Sequence, residues 1–398
     1  MNTNKVFIVV FASFFFQQFW ILSLPVPIKP YMIAVCLGLF FVFFTVHGKK
    51  YKLPLHIPLV AIFFFYMMLT FFWANEMSLA FTRSIGIAYL ILTYVVLSLL
   101  APMGHMTVVD SKLLRWLTFF LIGVILYYLL GVYHIYANGY VVGLKYEQGV
   151  FGVYMEGVLP RLRGFADSPN NMGLLIILLF YWVFVLKPKS VNNYFFYLLL
   201  GLSLLLTFSI TSYMAFFIPL FILGLITNRR ILISNIFIIF FATLSLTFFY
   251  INNDWFASLI DLRVDRLYSG SGRFELFGFA IDRAFDSPIF GHGLSQVRLF
   301  LSGFQNRELQ STHNSFIESF FEGGLLGLLL FILCWIGFVV YLSKINITPL
   351  DRYKLFSYLG ALFIFSNANL MIYVELMVLN MFFIVLLAQN LVVKNDNK

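Results

Sequence analysis

Apolar stretches long enough to cross a membrane dominate the chain. A spanning helix needs roughly 17–25 mostly apolar residues, and about twelve windows of the sequence approach that length. They cover residues 6–24, 31–46, 57–74, 84–101, 113–133, 171–186, 194–209, 211–227, 231–251, 315–342, 353–373 and 374–391. Because only 11% of the 398 residues are charged and 61% are hydrophobic, a soluble globular protein is excluded. The sequence therefore predicts an all-α polytopic membrane protein with about twelve transmembrane helices.

Two pairs of these windows, within 194–227 and 353–391, are separated by only a few residues. Merging either pair into one helix would move the following segments to the other side of the membrane. The first window follows Lys5 as a signal peptide would, but a small-residue cleavage site is not evident and further spans follow. We interpret it as an uncleaved first helix.

The basic residues indicate the orientation of the helices, because short cytoplasmic loops collect Lys and Arg. With the N-terminus inside, 15 of the 26 basic residues fall in cytoplasmic segments, and the short outer loops carry only Lys29 and Arg83. Both termini are thus predicted to be cytoplasmic, with two long periplasmic loops. The resulting segments are 1–133 (N-terminal helices), 134–170 (first long loop), 171–251 (central helices), 252–314 (second long loop) and 315–398 (C-terminal helices).

The long outer loops differ from the inner segments in the kind of basic residue they carry. Lys outnumbers Arg by eleven to four inside, whereas the two long loops carry eight Arg and only Lys145. A planar guanidinium donates paired hydrogen bonds to phosphate or carboxylate. The outer arginines therefore indicate an anion-binding role. The net charge of +9 does not indicate nucleic-acid binding, because a basic, aromatic-rich soluble module is not present.

The first long loop ends in the motif "RLRGFADSPNN" at 161–171. Arg161 and Arg163 flank one residue beside a glycine, an arrangement that could hold a diphosphate. Alternatively, the two arginines anchor the chain at the membrane interface, and residues 167–171 cap the following helix. The motif by itself leaves both interpretations open.

The second long loop contains "SGSGRFELFGFAIDRAF" at 269–285, which predicts a short amphipathic helix on the membrane surface. Its apolar face is formed by Phe274, Phe277, Ile281 and Phe285. Arg273 opens this helix, where a cation opposes the helix dipole. An anion bound there would relieve this, as would a salt bridge to Glu275 or Asp265. Ser287 and Pro288 are predicted to end the helix, and "GHG" at 291–293 to form a turn.

A polar stretch, "STHNSFIESFFEGG" at 311–324, precedes a long apolar run. Ser315 and Glu318 fit a capping box, which leaves His313 in the preceding loop. A lone histidine is often only a polar loop residue, but this one is also a candidate general base. Glu322 lies inside the apolar run, where an ionisable side chain is a functional candidate. The cysteines and the other histidines form no metal-ligand pattern, so no metal site is predicted.

The order of these motifs resembles the bacterial O-antigen ligase and polymerase superfamily, over roughly residues 160–340. The resemblance rests on R-x-x-G followed by Pro-Asn, on Gly-Arg opening an amphipathic helix with S-P-x-x-G-x-G downstream, and on His-Asn followed by a glycine before a span. The matching residues are Arg161 to Gly164, Pro169, Asn170, Gly272, Arg273, Ser287, Pro288, Gly291, Gly293, His313, Asn314 and Gly323.

The resemblance implies a membrane glycosyltransferase of the GT-C type that takes a glycan from undecaprenyl diphosphate on the periplasmic side of the inner membrane, without a metal or other cofactor. It implies Arg161, Arg273 and His313 as catalytic residues. Arg163, Asn170, Asn314 and Glu322 are expected to bind substrate. In one departure, "SITSYMAFF" at 209–217 has Tyr213 where many relatives carry a basic residue. Whether a central helix supplies a third phosphate contact therefore stays open.

Expected partners are an undecaprenyl-diphosphate-linked oligosaccharide, a glycan or lipid A-core acceptor and membrane lipids, with a chain-length regulator as a further candidate and no nucleic acid. A polymerase of O-antigen, capsule or exopolysaccharide repeat units is favoured slightly over a ligase. A flippase or transporter is the alternative of another class, although the chain lacks the two related halves that transporters usually show. A metal-dependent GT-C enzyme is a second alternative, and it would carry an acidic pair in the first outer loop. The corresponding stretch here, "SLPVPIKPY" at 23–31, contains no acid.

Overall fold

The computed structural model describes residues 9–10, 12–17, 28–45, 56–100, 111–138, 150–156, 159–186, 194–227, 251–252, 261, 273–305 and 311–396. Its helices are α1 (Pro30–Thr45), α2 (His56–Leu69), α3 (Met77–Leu100), α4 (Ser111–Ala137), α5 (Pro169–Leu186), α6 (Tyr194–Leu206), α7 (Ile210–Thr227), α8 (Arg273–Ala284), α9 (Val297–Gln305), α10 (Ser315–Lys344), α11 (Pro349–Ala368) and α12 (Glu375–Asp396). A 3₁₀ turn, Thr70–Trp73, extends α2. Ten of the twelve apolar windows coincide with helices, while 6–24 and 231–251 lie largely outside the described residues.

Within these residues, seven helical segments are long and apolar enough to cross a membrane. They are His56–Trp73, Met77–Leu99, Lys112–Ala137, Pro169–Leu186, Ile210–Thr227, Ser315–Lys344 and Glu375–Val392. The segments in α5 and α12 are 78% and 89% buried, against 28–39% for the others. These two helices therefore form the centre of the bundle. The polytopic membrane fold is confirmed, while the number of twelve spans and the orientation stay predictions.

The two closely spaced pairs of windows are separate helices. α6 ends at Leu206 and α7 begins at Ile210, while α11 and α12 are separated by residues 369–374. Phe208 adopts a left-handed φ of 45°, which interrupts the helical backbone. The Thr207 hydroxyl donates to Leu204 O and accepts from Ser209 N. Polar side chains thus satisfy backbone groups that the break frees from the helix.

One small two-stranded antiparallel sheet, which was not predicted, accompanies the helices of this all-α fold. β1 (Val153–Glu156) pairs with β2 (Leu159–Leu162), with Tyr154 opposite Arg161. Four-residue strands are too short to give a clear alternating pattern in the sequence. The hairpin is held against α4, because Tyr128 donates from its hydroxyl to Pro160 O at 2.9 Å.

The predicted amphipathic helix is α8, and it ends at Ala284, before Ser287 and Pro288 as expected. Its buried residues are Leu276, Ala280 and Ala284, which pack in one cluster with Phe321 of α10. Phe274 and Phe285 are exposed on the other side. The helix therefore has a protein-facing stripe as well as the phenylalanine face that the sequence singled out. The contact of that second face with the membrane surface stays a prediction.

α10 is broken at Gly324, which has a φ of 63°, and the segment 288–293 fills the break. His292 N donates to Phe321 O at 2.9 Å and Gly293 N to Glu322 O at 3.0 Å. On the other side of the break, Leu325 N donates to Pro288 O at 2.8 Å. The "GHG" segment is therefore a brace that satisfies the interrupted helix, because backbone polar groups at membrane depth need protein partners.

Candidate active site

The C-terminal end of α11 receives hydrogen bonds from two distant parts of the chain. Arg273 donates from Nη1 to Ala368 O at 3.0 Å, Asn314 from Nδ2 to Asn367 O at 3.0 Å, and Ser315 from Oγ to Asn369 O at 3.0 Å. The last carbonyls of a helix lack partners within it and carry partial negative charge. This helix end therefore fixes the start of α8 and the start of α10 beside each other.

The position of Arg273 is explained by this contact. At the start of α8 its charge opposes that helix dipole, but the guanidinium reaches the carbonyl end of α11, where a cation is favourable. Burial lowers the pKa of Arg273, and the carboxylate of Glu156 acts in the opposite direction. A guanidinium stays protonated at neutral pH, so Arg273 is a half-buried cation close to Glu156.

Arg161 lies on β2 and is held from three sides. Its Nη1 forms an ion pair with Glu156 Oε2 at 2.7 Å. Its Nε donates to Thr207 O at 2.9 Å, and its Nη2 to Asn170 Oδ1 at 3.3 Å. Since only 9% of Arg161 is exposed, the guanidinium is fixed in place. Glu156 is thus near both arginines and brings Arg161 and Arg273 into one site.

Asn170 extends this network to the two helix breaks. Its Oδ1 also accepts from Ser209 Oγ at 2.7 Å, in the break between α6 and α7. Its Nδ2 donates to Asn369 Oδ1 at 2.8 Å, in the break between α11 and α12. The break between α6 and α7 therefore reaches the site through the Thr207 carbonyl and the Ser209 hydroxyl. Tyr213 instead donates to Leu205 O at 2.6 Å on an exposed side of the helix.

The remainder of the 161–171 motif is anchored by ion pairs. Lys29 Nζ lies 2.5 Å from Asp167 Oδ2 and 2.8 Å from Glu375 Oε1. Ser168 Oγ accepts from Asn171 N at 3.2 Å, as a cap of α5 would. The capping interpretation thus applies to Ser168, while Arg161 belongs to the buried network. The diphosphate-binding interpretation of the two arginines stays a prediction.

His313 has a left-handed backbone with a φ of 54°, which costs a non-glycine residue about 1–3 kcal/mol. Thr312 holds this turn, because its hydroxyl donates to Glu318 Oε2 at 2.9 Å and accepts from Asn314 N at 3.2 Å. Burial and the charge of Arg273 lower the pKa of His313 to about 4. The imidazole is therefore neutral at neutral pH and can accept a proton, and it lies near Arg273.

The predicted capping box is wrong by one residue. Asn314 is the N-cap of α10, and its Oδ1 accepts from Phe316 N at 2.9 Å and Ile317 N at 3.1 Å. Ser315 is the first helical residue, and Glu318 reaches back to Thr312. The error arose because Asn and Ser are both good caps, and only the backbone conformation shows which one precedes the helix.

Two further predicted residues lie elsewhere. Arg163 donates from Nη2 to the carbonyl oxygen of Phe151 at 3.2 Å, and Phe151 lies just before β1. Glu322 is fully buried in α10 and accepts a hydrogen bond from the Tyr373 hydroxyl. Its neighbouring charges are Glu318, Arg83 and Arg298, which form a second charged cluster. Glu318 links this cluster to the His313 loop, because it accepts a hydrogen bond from Thr312. A role of either residue in substrate binding stays a prediction.

In the part of the chain that the structure describes, no three His, Cys, Asp or Glu side chains are grouped as metal ligands. Residues 195–332 match a family model described as O-antigen ligase. Over this segment, about a third of the chain, the protein is similar to the O-antigen ligase family. No curated protein matches the chain.

The O-antigen ligase match confirms the resemblance seen in the sequence and indicates a membrane enzyme of the ligase type. The matched segment contains Arg273 and His313 and the break between α6 and α7. Arg161 and Asn170 precede it, and the hydrogen bonds to Thr207 O and Ser209 Oγ join them to it.

Glu156 and Asn369 belong to this network but were not predicted from the sequence. Glu156 lies five residues before Arg161, a separation that gives no indication of pairing until the hairpin is known. Asn369 had a signal, since "SNAN" at 366–369 places three polar residues inside the apolar window 353–373. Such a cluster inside a membrane protein is expensive without a function or partners.

Proposed function

We propose that the protein transfers a glycan from undecaprenyl diphosphate to an acceptor hydroxyl, with inversion at the anomeric carbon. The proposed product is a polymer of O-antigen, capsule or exopolysaccharide repeat units. The observation that supports this most is the grouping of two arginines and a histidine: Glu156 pairs with Arg161 and acts on Arg273, and Arg273 acts on the pKa of His313.

The proposed reaction uses each of these groups. The acceptor oxygen forms a bond to the anomeric carbon, and its proton passes to the neutral imidazole of His313. The bond between that carbon and the phosphate oxygen breaks, and its electron pair stays on the departing diphosphate. Fixed cations stabilise such developing charge, and Arg161 and Arg273 supply them.

The proposed location is the periplasmic face of the bacterial inner membrane. The site lies at the Ser315 end of α10, whereas Lys344 closes the other end, and Lys354 lies in the first turns of the next helix. Since Lys-rich ends favour the cytoplasm, the site is assigned to the opposite side. A periplasmic site would meet the lipid-linked glycan after its translocation.

The family description favours ligation to the lipid A core as a second candidate function. The glycan profile of a deletion strain separates the two. Loss of polymer with single repeat units left on the core supports the polymerase. A bare core with free polymer supports the ligase instead. Movement of the lipid-linked glycan across the membrane without any joining would contradict both and favour a transporter.

Variants in the same strain test the chemistry. We expect His313→Ala to lower the transfer rate about 10²–10⁴-fold, the usual contribution of a general base. Arg273→Ala should lower the rate and also raise the donor KM. Arg283→Ala is the matched control, since Arg283 lies on the same helix with its side chain 53% exposed. Full activity of both His313→Ala and Arg273→Ala would refute the proposed site.

A further inference from the structure

The orientation of the Asn369 side chain follows from Arg161. A guanidinium can only donate hydrogen bonds, so the atom of Asn170 that Arg161 Nη2 meets at 3.3 Å is the oxygen. Nδ2 of Asn170 is then the group that faces Asn369 at 2.8 Å. Because that group donates, the facing atom of Asn369 is its oxygen. The amide nitrogen of Asn369 is therefore turned away from Asn170.

This amide nitrogen is an unused donor. Asn369 is only 5% exposed, and within the described parts of the chain its buried Nδ2 has no hydrogen-bond partner. A buried donor without an acceptor costs about 1–3 kcal/mol. Such a group needs an acceptor from outside its described neighbours, and in a site with two arginines a ligand atom can supply it.

Asn369 lies between the two arginines in the network. Its side chain is one hydrogen bond away from Asn170, which Arg161 holds, and the carbonyl of the preceding residue accepts from Arg273. A ligand oxygen that reaches this donor would bind a side chain that hydrogen bonds link to both arginines. A phosphate oxygen fits these conditions best, since it accepts hydrogen bonds and carries negative charge.

We propose that Asn369 donates a hydrogen bond from Nδ2 to a diphosphate oxygen of the lipid carrier, as a neutral third contact beside Arg161 and Arg273. This inference rests on the proposed function and extends it. It assigns an amide as the third phosphate contact, since α6, α7 and the break between them (residues 194–227) contain no Lys or Arg. The donor is preorganised, since the network from Arg161 through Asn170 fixes it before the ligand binds.

The test measures the binding of undecaprenyl diphosphate to the purified full-length protein in lipid nanodiscs, so the sugar need not be known. Asn369→Asp keeps an oxygen for Asn170 and replaces the donor by an acceptor. We expect it to weaken binding about 10- to 100-fold, the range for a hydrogen bond to a charged group plus the added repulsion. Asn369→Ala removes the donor without adding charge, and should weaken binding about tenfold.

Asn367→Asp is the control for charge alone, because it adds the same charge two residues away. Among the described residues, the Asn367 side chain donates to Phe363 O of its own helix at 2.9 Å. We expect less than about a threefold effect, since a charge on this side chain is screened by solvent. An equal loss in Asn367→Asp and Asn369→Asp, with normal binding by Asn369→Ala, would overturn the inference.

Arg273→Ala separates this inference from the proposed function. If Arg273→Ala loses binding while both Asn369 variants bind as tightly as the wild type, the Asn369 contact is wrong. The proposed binding site for the lipid diphosphate then still stands. If the wild type does not bind the lipid, or Arg273→Ala binds it unchanged, both proposals fail. Inorganic pyrophosphate is tested in parallel, and a dependence on Asn369 for pyrophosphate but not for the lipid would overturn the assignment to the carrier.

Discussion

Glu156 and Arg161 form an ion pair of 2.7 Å across the two strands of the hairpin, and the same carboxylate lies near Arg273. In the free protein, Glu156 therefore offsets the charge of the groups proposed to bind a diphosphate. A ligand phosphate must compete with this carboxylate for the guanidinium of Arg161. The ion pair thus keeps Arg161 in place before the lipid-linked glycan binds. The same ion pair weakens the binding of the diphosphate, because Glu156 competes for the guanidinium.

Glu156→Gln should therefore tighten the binding of undecaprenyl diphosphate about three- to tenfold, because a competing negative charge is removed from a partly exposed pair. The dissociation constant in nanodiscs measures this effect. Glu275→Gln, an exposed carboxylate on α8, is the control and should leave the constant unchanged. Weaker binding by Glu156→Gln would mean that the carboxylate mainly positions Arg161.

The activity should depend on pH through His313, whose pKa is lowered from 6.5 to about 4 by burial and by Arg273. In the free enzyme the imidazole stays neutral down to that value, so the acid limb of kcat/KM should lie well below pH 6.5. A bound diphosphate offsets the charge of Arg273, so the acid limb of kcat should lie at higher pH. Coincident limbs near pH 6.5 would contradict this interpretation.

The same group makes the free energy of unfolding depend on pH. Between pH 6.5 and about 4, the unfolded chain binds a proton at His313 that the folded protein does not bind. His313 therefore destabilises the fold progressively as the pH falls through this range. His313→Asn should lose this part of the pH dependence in thermal unfolding scans. An unchanged profile in the variant would show that His313 is not responsible.

Gly291→Ala should disrupt the brace on the broken helix. A Cβ at Gly291 would lie 2.4 Å from Gly324 N, and the residue has a φ of 73°. The strain and the clash should lower the free energy of unfolding by about 3 kcal/mol or more. Gly278→Ala is the matched control, because a Cβ there meets nothing within 4 Å, and it should stabilise α8 by about 0.5–1 kcal/mol. Thermal unfolding in detergent compares them, and equal stability would contradict the brace.

Asn314→Ala should remove the cap of α10 and the contact to Asn367 O. We expect a loss of about 1–2 kcal/mol in the free energy of unfolding. Asn314→Ser keeps a capping oxygen but cannot reach Asn367, so it should lose less. If Asn314→Ser is as unstable as Asn314→Ala, capping is not the main structural role of this residue.

The sequence determined the elements whose signals are local. A membrane helix is specified by its own run of apolar residues, so ten windows, both closely spaced helix pairs and the helix that begins at Arg273 were predicted at nearly the observed bounds. The candidate residues Arg161, Asn170, Arg273, His313 and Asn314 were also found, because each motif is short and contiguous.

Only the tertiary structure decided which of these residues share a site. Asn170 and Asn369, or Arg273 and Ala368, meet across long separations in the chain, and neither the hairpin partner Glu156 nor the break at Gly324 has a periodic signal. Hydrogen bonds between distant backbone and side-chain groups depend on how the helices pack, and the pattern of apolar residues along one helix does not specify them. The unused donor of Asn369 is visible only once its neighbours among the described residues are in place.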